Sequence, residues 1–217
     1  MNTYSDETNL TFLNLYRQLE QIRENNVDVY AFYKKKYSEQ LNSYREIRNY
    51  LTHEQYEGGY PLAVSSKVCL DFESIILRMK ENVYSRCNKN IEYLKEDDSI
   101  STAVAIFINK GYTYLPLLDE RKKVLGVVSS KSLLKISSIS NLNKKERLSN
   151  FLDFFSLEKD EKRFIFLPRN TPLSSAEKEF STIKENKRLG LAFINEHGKQ
   201  DESLLGLLSI YDITLLG

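Results

Sequence analysis

The sequence predicts two domains of different class: an all-α antiparallel helical bundle over residues 1–90, followed by an α/β module over residues 91–217. Three observations carry this reading. Ten of the 14 tyrosines precede residue 93, whereas six of the eight glycines follow residue 110, and of the four prolines only Pro61 lies in the first half. Apolar residues in the first half recur at helical spacing. A pattern of strands and helices in the second half recurs at an offset of 80 residues. A segment poor in glycine and proline suits long helices, and the later glycines suit turns between short strands. The boundary falls near residues 88–92, in the polar stretch Asn88-Lys89-Asn90.

In the first half, Phe12, Leu15, Tyr16, Leu19 and Ile22 form one apolar stripe at three- and four-residue spacing. A longer stripe, Tyr30, Tyr33, Tyr37, Leu41, Tyr44, Ile47 and Leu51, predicts a single long second helix that Gly58-Gly59 and Pro61 bring to an end. A third runs Val68, Phe72, Ile75, Ile76, Met79 and Val83, with Ser65 or Ser66 as its cap. Three such stripes close around one core.

The second half alternates. Asp98 or Ser99 caps a helix to about Lys110, with Ile100, Val104 and Phe107 on its inner face, and Gly111 ends it. Strands are expected at Tyr114–Leu118 and Val124–Val128, with a short helix from Ser130. The order then repeats: a strand at Phe164–Leu167, a helix from Thr171 to about Lys187, strands at Leu191–Ile194 and Leu204–Leu208, and a last helix at Tyr211-Asp212-Ile213. Gly126-Val127-Val128-Ser129 aligns with Gly206-Leu207-Leu208-Ser209. The copies therefore run 91–136 and 163–217. Between them lies a charged insertion, 137–162, whose patch Phe151, Leu152, Phe154 and Phe155 is either a helix packed on the pair or a partner surface.

Composition narrows the function classes. The chain is 41% hydrophobic and 28% charged, an ordinary folded composition. Its 31 basic and 30 acidic residues leave a net charge of +1, so no global field draws it to nucleic acid or repels it. No apolar run is long enough to span a membrane, and the polar, acidic start MNTYSDETN is unlike a secretory signal, so a cytoplasmic protein without membrane contact is expected. Two cysteines, Cys69 and Cys87, and two histidines, His53 and His197, are too few for a zinc cluster or a disulfide framework. No metal site is expected from them, although Asp/Glu sites for hard cations stay open.

The repeat resembles a tandem of cystathionine β-synthase-type (CBS) motifs, over roughly residues 91–217. In the first copy the resemblance rests on Asp98-Ser99-Ile100, on Gly111 through Asp119 and on Gly126-Val127-Val128-Ser129. In the second it rests on Asn170-Thr171-Pro172-Leu173, Leu191-Ala192-Phe193-Ile194 and Gly206 through Asp212. It implies a module that binds an adenosine nucleotide (AMP, ADP or ATP) as a regulatory ligand. In the family pattern a glycine, two apolar residues, Ser/Thr, two variable residues and Asp contact the nucleotide. A hydroxyl and helix-start amides meet phosphate, and the carboxylate accepts from ribose hydroxyls. The second copy matches in full, with Ser209 and Asp212. The first keeps Ser129 but has Ser132 in place of the acid. The resemblance therefore implies tighter binding at the second copy. Ser209 and Asp212 are equally well explained as helix caps. Lys131 and Arg169 are candidate phosphate contacts.

The helical half resembles the HEPN proteins, all-helical domains of which many are metal-independent RNA endonucleases. The residues that carry this are Arg48, Asn49 and His53, late in the long second helix: arginine, a polar residue, three variable residues, histidine. The resemblance implies a homodimer whose cleft cuts an RNA substrate with no catalytic cofactor. The RNA 2′-hydroxyl attacks the adjacent phosphate, His53 moves protons, Arg48 stabilises the phosphorane and Asn49 positions the phosphate. Histidine's ordinary pKa of about 6.5 leaves both forms present near neutrality. Lys34, Lys35 and Lys36, between Tyr33 and Tyr37, are candidate RNA contacts or simply a solvated helix face. Arg48 and His53 have an alternative reading as an ion pair with Glu46 or Glu57 and a histidine at a helix C-terminus. Tyr56 lies three residues past His53, one further than a tyrosine modified in a related toxin subgroup. His197 reads as a solvated turn residue.

The combined expectation is RNA cleavage gated by nucleotide, in stress or phage defence. The rival is a non-catalytic nucleotide sensor or adaptor whose helical half dimerises or binds a protein, and a third is an inactive nucleotide store or scaffold.

Overall fold

The computed structural model describes residues 3–53, 60, 62–138, 143–157, 163–184 and 187–214. Tyr56, Glu57, Gly58-Gly59 and Pro61, and parts of the 137–162 insertion, lie outside the described residues. The chain divides into two compact units, Met1–Glu81 with Pro172–Ser175, and Asn82–Thr171 with Ala176–Gly217.

The first unit is a helical bundle. It contains α1 (Thr3–Asn25), α2 (Val27–Lys36), α3 (Ser38–His53) and α4 (Ser66–Lys80). The single second helix expected from Tyr30 to Leu51 is two helices. Tyr37 stands between them with φ −117° and ψ 38°, outside the helical region, and its N–H still bonds to the Tyr33 carbonyl. Its ring stacks on Tyr33 at 6.1 Å and 11°. No glycine or proline marks this break, and the apolar stripe runs through it, burying Tyr33, Leu41, Tyr44 and Leu51. Helix α1 packs against α2, α3 and α4. The Phe12, Tyr44 and Phe72 rings meet at centroid distances of 5.4, 6.0 and 4.4 Å, near optimal for aromatic contact. Asn9 is fully buried, and both ends of its amide are satisfied. It donates to the Leu62 carbonyl at 2.8 Å and accepts from the Val64 amide at 2.9 Å. Through it α1 holds the segment that enters α4, where the Ser65 hydroxyl accepts from the Val68 amide. Val83, counted with the third stripe, falls outside α4.

In the second unit, Asn82 caps the short helix α5 (Val83–Arg86). Two three-stranded sheets follow, with one topology. In the first, β1 (Leu94–Lys95) runs parallel to β2 (Tyr114–Leu118), which pairs antiparallel with β3 (Val124–Ser129). In the second, β4 (Phe164–Pro168) is followed by the two-residue strands β5 (Ile183–Lys184) and β6 (Lys187–Arg188). It then runs parallel to β7 (Leu191–Asn195), which pairs antiparallel with β8 (Gly206–Leu208). The first-copy counterpart of β4 was not expected, because two residues carry no period; Leu94 is nonetheless fully buried.

Helix α6 (Ile100–Lys110) is capped by Ser99, whose hydroxyl accepts from the Thr102 amide, and ends at Gly111 with φ 67°, a left-handed conformation glycine adopts at little cost. Its inner face is Ile100 and Ala103, with Ile106 and the expected Phe107 half-buried beside them; Val104, also expected there, is 38% exposed. Helix α7 (Ser130–Ser137) follows β3 directly. In the insertion, a 3-10 turn (Leu148–Phe151) leads to α8 (Leu152–Phe155), and Leu148 and Phe155 are buried. Of the two readings of that patch, packing on the pair holds for Phe155. The helix expected from Thr171 to about Lys187 is shorter, α9 (Leu173–Ser181). The Thr182 hydroxyl takes the Lys178 carbonyl at 2.8 Å, and β-branched Thr182-Ile183 favours the extended backbone of β5. Helix α10 (Ile210–Thr214) comes last among the described residues.

The copies share a core. Leu118, Val124 and Val127 from the first pack with Phe164, Leu191, Phe193 and Leu204 from the second. Asn88 and Leu207 exchange both main-chain hydrogen bonds, at 2.8 and 2.9 Å.

The aligned glycines each admit a close approach. A Cβ at Gly126 would strike the Phe155 carbonyl oxygen, and one at Gly206 would strike the Cys87 Sγ. Either glycine changed to alanine is expected to cost about 1–3 kcal/mol by overpacking. In urea unfolding, Cys87→Ala should recover much of the Gly206→Ala loss, because the colliding sulfur is gone. No side-chain truncation should rescue Gly126→Ala, where the obstacle is backbone. Additive losses in the Cys87/Gly206 pair would show that the contact is not the cause.

Candidate functional site

At the end of β3 the chain turns directly into α7, and Ser129 and Ser132 cap one another. The Ser129 hydroxyl accepts from the Ser132 amide at 3.0 Å, and the Ser132 hydroxyl accepts from the Ser129 amide at 2.9 Å. Ser132 also donates to the Ser129 carbonyl at 2.8 Å and is buried. This capping box satisfies the Ser129 and Ser132 amides at the start of α7. Beside it opens a cavity of about 410 Å³. Its polar side carries Ser129, Ser132, Lys131, Lys135 and Arg163; Phe155 and Phe164 form much of its apolar side. Lys131 and Lys135 stand four apart on α7, on one helix face. Arg163 donates to the Tyr114 hydroxyl at 3.2 Å, and Tyr114 packs edge-on against Phe164 at 5.3 Å.

The second copy has the same junction with different chemistry. Asp212 stands where Ser132 does. Its Oδ2 accepts from both the Ser209 amide, at 2.7 Å, and the Ser209 hydroxyl, at 2.6 Å. The carboxylate therefore does the capping work, whatever else it does. The adjoining cavity is about 160 Å³ and is lined by Ser209, Asp212, Glu92 and Tyr112 among others; no described residue lining it is cationic. Burial pushes the nearby Cys87 thiol up, Lys89 opposes this and the Asp212 carboxylate adds to it.

Of the two candidate phosphate contacts, Lys131 lines the larger cavity. Arg169 lines neither of the two: its guanidinium lies 4.3 Å from the Tyr84 ring centroid and pairs with Glu196 at 3.3 Å. Tyr114, Lys135, Ser156 and Arg163 also line the larger cavity, and none of them is among the contacts expected from the sequence. The four-residue spacing of Lys131 and Lys135 was the available signal for one of them. Tyr114 lies opposite Ser129 in the β2–β3 register, and only Arg163 reaches the cavity through packing between copies.

In the helical unit, Arg48 sits over the Tyr16 ring at 5.5 Å and pairs with Glu20 at 3.7 Å, both on α1. It also donates to Asn49 at 3.3 Å. Burial, with the Glu20 carboxylate adding to it, pushes the Tyr16 hydroxyl up, and Arg48 opposes this. Asn49 and His53 are exposed, and His53 is the last residue of α3. Helix α3 is continuous from Arg48 to His53, so their side chains leave it about 140° apart. One chain therefore does not present both on one face. Lys34, Lys35 and Lys36 form the last turn of α2, where cations suit the helix dipole. Lys34 lies over Tyr30 at 5.9 Å and Lys36 over Tyr33 at 5.8 Å. His197 is in the expected turn, where its Nδ1 lies 2.7 Å from Glu202; the His197 amide, chiefly, holds that carboxyl below its usual range. Among the described residues no cluster of three His, Cys, Asp or Glu could hold a metal ion. No helix among them is long and apolar enough to cross a membrane.

Two copies of a parallel-then-antiparallel sheet with a shared core, each ending a strand in glycine, two apolar residues and serine, define a paired CBS fold. Residues 81–139 match the family model of the CBS domain, so the chain contains a CBS domain. The carnitine transport ATP-binding protein OpuCA of Listeria monocytogenes is 33% identical over 69 residues, 31% of this chain and 17% of that protein. The homoserine O-acetyltransferase of Methanococcus vannielii is 25% identical over 126 residues, 55% of this chain and 24% of that protein. The chain thus matches less than a quarter of either relative. The crystal structure of a protein assigned to acetoin utilization, AcuB, from Vibrio cholerae superposes with a TM-score of 0.51. It is 16% identical and covers 63% of this chain and 89% of that one, which shows the fold.

Asp212→Ala should lower the unfolding free energy in urea by about 1–2 kcal/mol, since it removes the acceptor of two capping bonds. Asp212→Asn should retain most of it, because an amide oxygen still accepts. Equal losses in the two variants would contradict the capping role.

Proposed function

We propose that this protein is a nucleotide sensor whose CBS pair binds an adenosine nucleotide. The observation that carries the reading is the cavity of about 410 Å³ beside Ser129, of a size that holds a small ligand and with hydroxyls, cations and aromatic walls together. The match of residues 81–139 to the CBS family supports it. Ser129 is the candidate contact in the first copy, and Ser209 and Asp212 are the candidates in the second.

The finer reading concerns the output. In it the helical unit cuts RNA without a metal, using Arg48, Asn49 and His53 contributed across a homodimer. The support is the Arg-Asn-x-x-x-His spacing and the exposure of Asn49 and His53 at the C-terminal end of α3. His53 as base takes the proton of the RNA 2′-hydroxyl as that oxygen bonds to phosphorus, and protonated histidine returns a proton to the departing 5′-oxygen. Arg48 meets the charge on the phosphorane. The angular separation on one helix is why a second copy is required. The sensor-or-adaptor alternative, with a non-catalytic helical unit, is favoured by the engagement of Arg48 with Tyr16 and Glu20.

Two measurements test these readings separately. Calorimetry of the full chain with AMP, ADP and ATP should show binding; silence with all three would remove the sensor. Purified protein should cut single-stranded RNA in EDTA and leave cyclic phosphate ends, and His53→Ala should abolish this while preserving the circular dichroism spectrum. Undiminished cutting by His53→Ala would refute the nuclease assignment and leave the sensor standing.

A further inference from the structure

We propose that the cavity beside Ser129 selects its ligand by phosphate charge rather than by ribose, making it a site for a nucleoside polyphosphate. This rests on the nucleotide-sensing reading and adds the ligand class and the residues that set it.

Three cationic side chains, Lys131, Lys135 and Arg163, line this one cavity, and no described residue lining it is acidic. A ligand with three or four negative charges balances all three cations, whereas one with two leaves the site with net positive charge. The ribose side is the reverse. Where the family pattern places a carboxylate to accept from sugar hydroxyls, this copy has Ser132, and its hydroxyl is already used. It accepts from the Ser129 amide and donates to the Ser129 carbonyl. The Ser129 hydroxyl is likewise engaged with the Ser132 amide. A sugar hydroxyl entering here gains no charged acceptor, only the remaining lone pair of a hydroxyl already engaged in the helix cap. Phe155 and Phe164 offer a base an apolar wall without hydrogen-bond readout.

The second copy supplies the contrast within the same chain. Its cavity holds Asp212 and Glu92, no described cation, and about 160 Å³, below the roughly 300 Å³ at which small-molecule sites usually begin. Charge and volume both direct a polyphosphate to the first copy, although only the second has the complete motif.

Calorimetry of the full chain with ATP, 2′,3′-dideoxy-ATP, AMP and inorganic tripolyphosphate tests this. ATP should bind about tenfold or more tightly than AMP, with the gap narrowing as salt rises. Dideoxy-ATP should stay within about threefold of ATP, because no charged acceptor is lost. Lys131→Ala/Lys135→Ala should weaken ATP at least about tenfold, whereas Lys144→Ala/Lys145→Ala, the same loss of charge at exposed positions outside the cavity, should leave ATP binding unchanged. Both variants sit at exposed or partly exposed positions, and circular dichroism checks their folding. AMP binding as tightly as ATP, a tenfold loss with the dideoxy compound, or ATP binding that survives the double lysine variant would each overturn the charge-selective site while leaving a nucleotide sensor in place. Tripolyphosphate binding as tightly as ATP would uphold charge selection and remove the nucleotide from the reading. No binding of any of the four would overturn both.

Discussion

At Gly126 and Gly206, 80 residues apart, another part of the chain occupies the space where a Cβ would stand: the Phe155 backbone at one, the Cys87 thiol at the other. Much else in the CBS-like unit depends on these two approaches. The first lets α8 lie on β3, so that Phe155 is buried and forms a wall of the larger cavity. The second lets the segment ahead of the first copy pair with β8, where Asn88 and Leu207 exchange hydrogen bonds. That pairing satisfies backbone groups at an edge of the second sheet with main chain that precedes the first. In each copy the glycine is followed by two apolar residues and a serine at the helix start, capped through Ser129 and Ser132 in the first and through Asp212 in the second. The strand end thereby combines close packing with a defined helix start.

The same junction then diverges through one residue. Ser132 and Asp212 perform equivalent capping, but one is neutral and the other charged. Around the neutral one the described side chains are cationic; around the charged one they include Glu92. A carboxylate among cations would neutralise them, and a carboxylate without them leaves an acidic recess. The two copies share a backbone plan and offer opposite fields to a ligand.

In the helical unit the dominant constraint is aromatic. The Phe12, Tyr44 and Phe72 rings join three helices, and Asn9 satisfies backbone groups of the segment before α4 that burial would otherwise leave unpaired. Arg48 borrows its position from α1: a ring beneath it and Glu20 beside it hold the guanidinium. His53, five residues on, has the exposure of a helix end.

The sequence by itself determined the elements whose signals are local. The stop of α6 at Gly111, the limits of β2, the caps of α6 and α4 to within one residue (Asp98 or Ser99, Ser65 or Ser66) and the repeat at an offset of 80 residues were all readable, because hydrophobic period, capping chemistry and left-handed glycine act within a few residues. Only the tertiary structure decided the rest. The break at Tyr37 carries no glycine or proline; a two-residue strand such as Leu94–Lys95 exists only because Leu117 and Leu118 lie beside it. Ala103 rather than Val104 faces inward, buried among Leu94, Leu115 and Leu117, which come from other elements. Lys131 was legible as a candidate contact, but Arg163 and Tyr114 were not. Tyr114 comes beside it through the β2–β3 register and Arg163 through the packing of one copy against the other, and a cavity is a property of surfaces that meet in space, which no local pattern encodes.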